Sequence, residues 1–228
     1  MSVMDNGFTF KAALRETSRK IDKIAAMVAA QNGDAHCIEY LESMGTQYVD
    51  TEVVPTDMTG VEAVLAIRSD NGTDNIPFGA RENSGNTRFL EDVDWSNSDT
   101  IGWGFGTYSA ANAKYSMTGK TGTIVTSSLN FYNDRCGRVN GVAYDTSLET
   151  KSLPSITCPI YIFALNLNGT VRYPYIGRIY RVTITSGTTI VRDFIPIRVG
   201  TVGYMLDLVS GKLFGNKGTG NFVLGPDV

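Results

Sequence analysis

Two groups of side chains in the middle of this sequence are suited to chemistry, and the first is the acidic run Glu91-Asp92-Val93-Asp94-Trp95. On a strand, alternation places Asp92 and Asp94 on one face and Glu91 on the other. Retaining glycoside hydrolysis needs a nucleophile and an acid about 5–5.5 Å apart, and this run does not offer that pairing. A solvated acidic loop is the favoured interpretation of this run, and the functional alternative is a calcium site with hard oxygen ligands from Asp92, Asp94 and Asp99.

The second group is aromatic and lies in a region rich in Gly, Ser and Asn. Trp and Tyr present a flat apolar face with a polar handle, which suits stacking on a sugar or packing on a partner protein. We therefore predict Trp95, Tyr108 and Tyr115 as ligand-binding residues. Trp103 and Phe105 alternate with glycines, which favours two core residues of one strand.

Composition excludes several other classes of protein. The net charge of −3 argues against nucleic-acid binding, and no apolar stretch is long enough to insert into a membrane. The absence of a signal-peptide pattern leads us to expect synthesis in a cytosol. Cys37, Cys136 and Cys158 are too few and too scattered for a disulfide framework. With His36 as the single histidine, neither zinc nor a Ser-His-Asp triad is expected.

The elements that must position these residues begin with a heptad near the N-terminus. Apolar residues there follow the a/d spacing of a coiled coil, and isoleucine in both kinds of layer favours trimers. An amphipathic helix that folds back onto its own body is the alternative. The predicted oligomerisation seam consists of Phe10, Leu14, Thr17, Ile21, Ile24, Val28 and Gln31.

Asn32-Gly33-Asp34 is predicted to end the helix. After it, the sequence consists of short β-branched and aromatic runs separated by turn residues. We therefore divide the chain into an N-terminal helix, residues 1–35, and a mainly β domain, residues 36–228, of the sandwich or jelly-roll class. The predicted strands are Gln47–Val54, Val61–Arg68, Ile76–Ala80, Arg88–Val93, Ile101–Gly106, Gly122–Asn130, Asn133–Val139, Ile160–Asn166, Gly177–Thr185, Thr188–Pro196, Tyr204–Asp207 and Lys212–Phe214.

Several residues near the C-terminus have predicted structural roles. Ile179, Val182 and Ile184 should share one face after a bulge, and Pro196 should end strand pairing at an edge. Arg192 and Asp193 are expected to form structural ion pairs. Five glycines are predicted to occupy turns with positive φ, namely Gly203, Gly211, Gly215, Gly218 and Gly220.

Residues 38–226 resemble a known family of domains, most clearly at the two ends of this range. The opening run begins Glu39-Tyr-Leu-Glu-Ser-Met-Gly, and the closing runs begin at Gly177, Val191, Val202, Gly211 and Gly218. This pattern resembles the laminin-G-like, concanavalin A-like jelly-roll domains of structural proteins from tailed bacteriophages and prophages of gut bacteria. The resemblance implies a two-sheet jelly roll whose first and last strands pair. Glycosidases with the concanavalin A-like fold carry two glutamates flanking an aspartate on one face, which residues 91–94 do not match.

Together the heptad and the resemblance predict a non-enzymatic virion surface protein of the head- or tail-fibre or decoration type. The chain would be made in the bacterial host cytoplasm and displayed as a homotrimer among other virion proteins. Its jelly-roll heads would bind a host-surface glycan, and linked weak sites would gain affinity through avidity. The alternatives are a capsid-stabilising decoration protein without a host ligand and a free lectin-like carbohydrate-binding module. No cofactor other than calcium is expected.

Overall fold

The computed structural model describes residues 34–67, 75–82, 87–93, 100–109, 115–131, 134–146, 152–153 and 155–228. In these residues the regular structure is almost entirely β. The strands are β1 Ala35–Cys37, β2 Leu41–Met44, β3 Val49–Asp50, β4 Thr59–Ile67, β5 Phe78–Arg81, β6 Arg88–Val93, β7 Thr100–Gly106, β8 Tyr108–Ser109, β9 Tyr115–Ser116, β10 Val125–Leu129, β11 Gly137–Val139, β12 Val142–Asp145, β13 Tyr161–Ile162, β14 Leu165–Leu167, β15 Thr170–Arg172, β16 Ile176–Ser186, β17 Thr189–Val199, β18 Val202–Asp207, β19 Leu213–Gly215 and β20 Val223–Leu224.

The strands form two sheets. The first runs in the order β12-β11-β10-β4-β16-β17-β18-β19, with β1 beside β17, β2 beside β16 and β20 beside β2. The second runs β15-β14-β5-β6-β7-β8, with β9 beside β7 and β13 between β3 and β5. Of the described strand pairs, only β14 with β5 is parallel. This mainly β, two-sheet arrangement is compatible with the predicted jelly roll.

The main hydrophobic core joins the two sheets. Alternate residues of the long strand β16 contribute Ile179, Val182 and Ile184, all fully buried. The second sheet contributes Trp103 and Phe105 from β7 to the same cluster. A shift of register between Ile179 and Arg181 confirms the predicted bulge, which keeps these three apolar residues on one face. The predicted core roles of Trp103 and Phe105 are also confirmed.

The last described strand, β20, pairs with β2, the second described strand, whereas the first, β1, pairs with β17. Leu41 in β2 lies opposite Leu224 in β20, and Ile38 forms a bridge with Asp227. The last four predicted strands form two hairpins, β16–β17 and β18–β19. No disulfide bond links Cys37, Cys136 and Cys158 in the structure.

Two predicted strands differ from the observed ones. The strand predicted over 47–54 is confined to β3, because Glu52 adopts a positive φ of 62° that ends the extended backbone. The strand predicted over 160–166 is split into β13 and β14. Phe163, with a φ of 69°, reverses the chain there, so that Tyr161 and Leu165 both lie opposite Gly79.

The prediction that Pro196 ends pairing was wrong. Pro196 lies inside β17 and opposite Met205 of β18. On the other side of β17, pairing with β16 stops at Phe194 and pairing with β1 starts at Ile197. Pro196, which has no N–H to donate, therefore lies where β17 changes from one partner strand to the other. The expected structural ion pairs are present, since Arg181 binds both oxygens of Asp193 at 2.8 Å.

Three of the five glycines predicted to have a positive φ do not have one. Gly211 and Gly220 have φ values of 73° and 69°, as predicted. Gly203, Gly215 and Gly218 are not in that region, and the first and last of them instead allow close approach. A Cβ on Gly203 would lie 2.5 Å from Cδ2 of Leu41, and one on Gly218 would lie 2.0 Å from the carbonyl oxygen of Thr46.

The N-terminal heptad, residues 10–31, lies outside the described residues, so the trimeric coiled coil stays a prediction. Among the described residues, no helix has the length and apolar character needed to cross a membrane.

A glycine in β11 generates the first testable prediction. A Cβ on Gly137 would lie 2.3 Å from Cδ2 of the fully buried Trp103. Gly137→Ala should therefore lower the free energy of unfolding by about 1–3 kcal/mol, as overpacked cores do. Chemical denaturation followed by tryptophan fluorescence measures this. Gly215→Ala is the control, because its new methyl would meet only Tyr204 ring atoms at 3.3–3.4 Å. Equal stability of the two variants would contradict the prediction.

Candidate functional site

The outer face of the second sheet carries two arginines on neighbouring strands. Alternation along β6 turns Phe89, Glu91 and Val93 towards the core and Arg88, Leu90 and Asp92 outwards. Arg88 lies directly opposite Arg81 of β5 in the antiparallel register. Residues directly opposite each other share a face of the sheet, so both guanidinium groups are presented on its outer side.

These arginines line a small depression, here called the arginine pit. Its volume is about 40 Å³. Leu90 and Leu165 pack with Ile76 in a small apolar cluster on the same face, separate from the main core. The described residues that line the arginine pit are Ile76, Arg81, Arg88, Leu90, Asp92, Leu165 and Tyr173.

Glycines of β7 shape one side of the arginine pit. Gly102, Gly104 and Gly106 lie opposite Asp92, Leu90 and Arg88, so this stretch of β7 adds no side chains to the outer face. A Cβ on Gly104 would lie 2.6 Å from Cδ of Arg88. The stem of Arg88 therefore lies flat across β7, and Arg88 is only 8% exposed although it is on the outer face.

The described lining of the arginine pit holds two arginines and the carboxylate of Asp92. Burial lowers the pKa of Arg88, and the nearby charge of Arg81 lowers that pKa further. Such a pair of planar, permanently charged groups is suited to bidentate binding of carboxylate or vicinal oxygen atoms.

Asp92 has a structural task at this site. Its Oδ1 accepts the backbone N–H of Asn75 at 3.0 Å, and Asn75 Oδ1 in turn accepts the backbone N–H of Ile176 at 2.8 Å. Asp92 thus ties β6 to the start of β16. Within the described residues no cluster of three metal-ligating side chains occurs. Asp94 and Asp99 lie outside those residues, so the calcium site stays a prediction.

Tyr173 stands at the edge of the arginine pit and is 40% exposed. Its backbone has a φ of 46°, in the left-handed region that few non-glycine residues adopt. The Tyr173 carbonyl oxygen accepts the N–H of Ile76 at 3.2 Å, and Pro174 bridges to Ile76. This geometry holds an exposed aromatic ring beside the two arginines.

Glu91 is on the opposite face of β6 from Asp92, as alternation predicted. It is fully buried, and its Oε2 accepts hydrogen bonds from Ser127 Oγ at 2.6 Å and Trp103 Nε1 at 3.2 Å. Ser127 belongs to β10, so this carboxyl group joins the two sheets. Burial raises the pKa of Glu91 to about 8, against the lowering effect of the two hydrogen bonds. A group enclosed in the core in this way has no access to a substrate.

Of the aromatic residues predicted to bind a ligand, Tyr115 is not at the arginine pit. Tyr115 in β9 lies opposite Ile101, an inward-facing core residue, and packs against the core. Lys120 Nζ lies 4.0 Å from the centre of the Tyr115 ring, and the edge of Tyr144 contacts the same ring. Tyr108 pairs with Phe105 in β8, and Trp95 lies outside the described residues. Asp92 and Tyr115 are thus on opposite faces of the second sheet.

A second, larger cleft of about 350 Å³ lies beside the loop that precedes β4. Its carboxylate, Asp57, already accepts the backbone N–H of Leu153 at 2.6 Å and lies 3.9 Å from Arg135. Val54 and Met58 give it an aliphatic lining. With neither an aromatic platform nor converging polar side chains among the described residues, this cleft is the weaker candidate for binding a polar ligand.

Sequence reasoning missed Arg81, Arg88 and Tyr173. Their positions in the chain are far apart and belong to no motif. The only sequence signal was the alternation Gly102, Gly104, Gly106, which leaves one face of β7 without side chains.

Comparisons with known proteins agree with the fold. No protein-family model matches the chain, and no curated protein matches it. A similar solved structure is described as "a putative carbohydrate binding protein" from Bacteroides ovatus, with a TM-score of 0.53 and 11% sequence identity. The match covers 82% of this chain and 60% of that chain. The chain thus spans about 60% of the length of its neighbour, and at this identity the likeness concerns the fold alone.

The buried carboxyl group generates a prediction about pH. Because the folded state holds the Glu91 proton up to a pKa of about 8, against about 4.3 for an unperturbed glutamate, folding takes up a proton between these limits. Stability should therefore fall as pH rises from about 5 to 8, on the order of 3 kcal/mol from this residue. Glu91→Gln keeps an acceptor for Ser127 and Trp103 and should remove most of that slope.

Thermal and urea unfolding at pH 5, 6, 7 and 8 measures the effect. Glu39→Gln removes an exposed carboxylate and serves as the control, because its profile should follow the native protein. A native protein equally stable at all four pH values, or a Glu91→Gln profile parallel to it, would contradict the protonated state of Glu91.

Proposed function

We propose that this protein is a non-enzymatic carbohydrate-binding β-sandwich whose saccharide site is the arginine pit with its rim. The observation that carries the proposal is that Arg81, Arg88 and Tyr173 line one depression on the outer side of the second sheet, at whose edge Tyr173 is 40% exposed. Polar groups that fix orientation beside an apolar surface that excludes water are the usual make-up of small-ligand sites.

The chemistry of the rim fits a sugar ring. Tyr173 offers an aromatic face, on which the C–H side of a pyranose can stack. The guanidinium groups donate to ring and hydroxyl oxygens, while a carboxylate such as Asp92 accepts from hydroxyl groups.

The similar fold of the Bacteroides ovatus protein supports the same class of ligand. We propose no catalytic role, because Glu91 is enclosed in the core and Asp92 is the one carboxylate among the described lining residues. Glycoside hydrolysis requires two carboxyl groups at the scissile bond in most families.

A further proposal concerns how the saccharide-binding domain is presented and not which ligand it binds. The a/d spacing of residues 10–31 favours a homotrimer, and three linked heads would raise weak saccharide affinity by avidity. We propose that such a trimer is exposed on a virion surface, in a fibre or decoration protein assembled in the host cytoplasm with other virion proteins. A capsid-stabilising role without a host ligand is the competing proposal, and calcium binding at Asp92, Asp94 and Asp99 remains part of the proposal.

Tyr173→Asn tests the saccharide site. Asparagine tolerates a left-handed backbone, so the variant loses the ring without losing the turn. We expect retention on a glycan array to fall roughly tenfold, in keeping with about 1–2 kcal/mol for an aromatic contact. Tyr144→Asn removes an exposed aromatic from the edge strand β12 and should leave retention unchanged. The reverse pattern would move the site to the pair formed by Tyr115 and Tyr144, and an array that retains neither the native protein nor the variants would refute saccharide binding.

Ile21→Asp tests the trimer. A charge in a central a layer should dissociate the oligomer, because a buried unpaired carboxylate is costly, while the β domain stays folded. Light-scattering mass should fall to about one third, with an unchanged thermal transition of the head. Ala26→Asp, at an outward f position of the same heptad, is the matched control and should keep the full mass. An Ile21→Asp variant with the native mass would exclude this seam.

A further inference from the structure

We propose that an apolar patch on the outer face of the first sheet is the docking surface for residues 24–31 of the same chain. These residues lie outside the described part of the chain, directly before the β domain. Three observations carry the inference: the apolar side chains of the patch, the place where the chain enters the β domain, and the change of composition along the N-terminal segment. The inference is independent of the proposed saccharide site.

Strands β17 and β18 carry apolar residues on both of their faces. Phe194 and Met205 belong to the main core, so alternation directs Ile195 and Leu206 to the outer face, where they lie opposite each other. With Ile197 they form a second apolar cluster, here called the outer patch. Its partly exposed border consists of Ala35, Cys37, Val199, Tyr204, Leu208 and Leu213. A contiguous apolar surface of this kind is typical of an interaction site.

The outer patch has the dimensions of a short stretch of helix. It spans four neighbouring strands, β1, β17, β18 and β19, and at the usual strand spacing it is about 14 Å wide. Along β17 it extends from Ile195 to Val199, which is about 13 Å. A helix has a diameter of about 10–12 Å, and eight of its residues are about 12 Å long. Two turns of helix would therefore cover the outer patch.

The chain enters the β domain at the border of the outer patch. Asp34 is held at this place, because its carbonyl oxygen accepts the N–H of Gly200 at 2.8 Å and its Oδ2 accepts Nη1 of Arg198 at 3.3 Å. The next residue, Ala35, belongs to the border and lies opposite Val199. The step from residue 31 to Asp34 spans at most about 10 Å. Residues 24–31 are thus within reach of the outer patch.

Charged side chains in the N-terminal segment end before the β domain begins. Residues 11–23 contain seven of them, whereas residues 24–31 contain none. In the predicted helix, Ile24 and Val28 occupy the a/d seam, while Met27 and Ala30 occupy g and c positions outside it. A helix that is apolar all round is buried on all sides, so Met27 and Ala30 need a second apolar surface. The outer patch provides that surface, and the seam remains available for the proposed trimer.

Hydrogen exchange on the full-length protein tests the docking. The backbone amides of residues 24–31 should exchange slowly, and Met27→Asp should speed their exchange about tenfold or more, because a charge does not fit an apolar contact. The same substitution should lower the thermal transition of the β domain, since it uncovers the outer patch. Lys20→Asp is the matched control. It changes the same heptad position one repeat earlier, and it should leave both measurements unchanged.

A variant in the β domain assigns the slow exchange to the outer patch. Leu213→Asp places a charge in the border on β19 and should speed exchange of residues 24–31 by a similar factor, although their own sequence is unchanged. Val209→Asp is the matched control, because Val209 is 52% exposed in the turn of the same hairpin and outside the outer patch. Thermal melts show whether each variant is folded. Should Leu213→Asp not fold, Met27→Asp still decides the question, because residue 27 is outside the β domain.

Ile21→Asp separates the docking from the trimer. Residues 24–31 should still exchange slowly in this variant, because docking to the same chain does not need the seam. Fast exchange in Ile21→Asp together with slow exchange in Leu213→Asp would assign residues 24–31 to the seam alone, which would overturn the docking and leave the trimer standing. A fall of the light-scattering mass in Leu213→Asp would show that the outer patch binds a second copy and would overturn docking within one chain. Fast exchange of these amides in the native protein would overturn it as well.

Discussion

Strand β6 is buried on both faces, and this double burial organises the rest of the molecule. All six of its residues, Arg88–Val93, are buried. Inward, Phe89 and Val93 belong to the core shared by both sheets, and Glu91 reaches across to Ser127 of the first sheet. Outward, the same strand supplies two charged residues and one leucine to the arginine pit. A strand that is buried on both sides cannot shift its register, since a one-residue slip would exchange the two sets of side chains.

The neighbouring strand β7 allows β6 to be buried on both faces, because large side chains alternate with glycines along β7. Trp103 and Phe105 fill the core, while Gly104 and its companions leave the outer face open for the stem of Arg88. Trp103 also donates to Glu91, and Gly137 on β11 leaves room for its indole ring. The hydrophobic core and the candidate site therefore depend on the same two strands. Rigid strands hold binding groups more accurately than loops do.

The protonated state of Glu91 follows from the same packing. A buried carboxylate without a cationic partner is costly, so the group holds its proton to higher pH instead. Arginine does not have this option, because it does not lose its proton in proteins. Both Arg81 and Arg88 therefore stay charged on the outer face.

Local patterns in the chain were sufficient to predict a mainly β, two-sheet fold. The strand Arg88–Val93, the two C-terminal hairpins and the bulge that aligns Ile179 with Val182 all follow from alternation and turn residues, which are properties of neighbours in sequence. Alternation also placed Glu91 and Asp92 on opposite faces. The heptad and the calcium ligands Asp94 and Asp99 lie outside the described residues and stay predictions.

Only the tertiary structure decided which residues meet. Arg81, Arg88 and Tyr173 come from three separate strands or turns, and the register of β5 with β6 and the reversal at Phe163 bring them together. The close-approach glycines, such as Gly203 and Gly218, look like turn glycines in the sequence because the atoms that crowd them are distant along the chain. Alternation shows that a residue is on a face of its strand, but long-range pairing determines what that face meets. For this reason the sequence by itself determined the class of fold, and packing between distant segments determined the site.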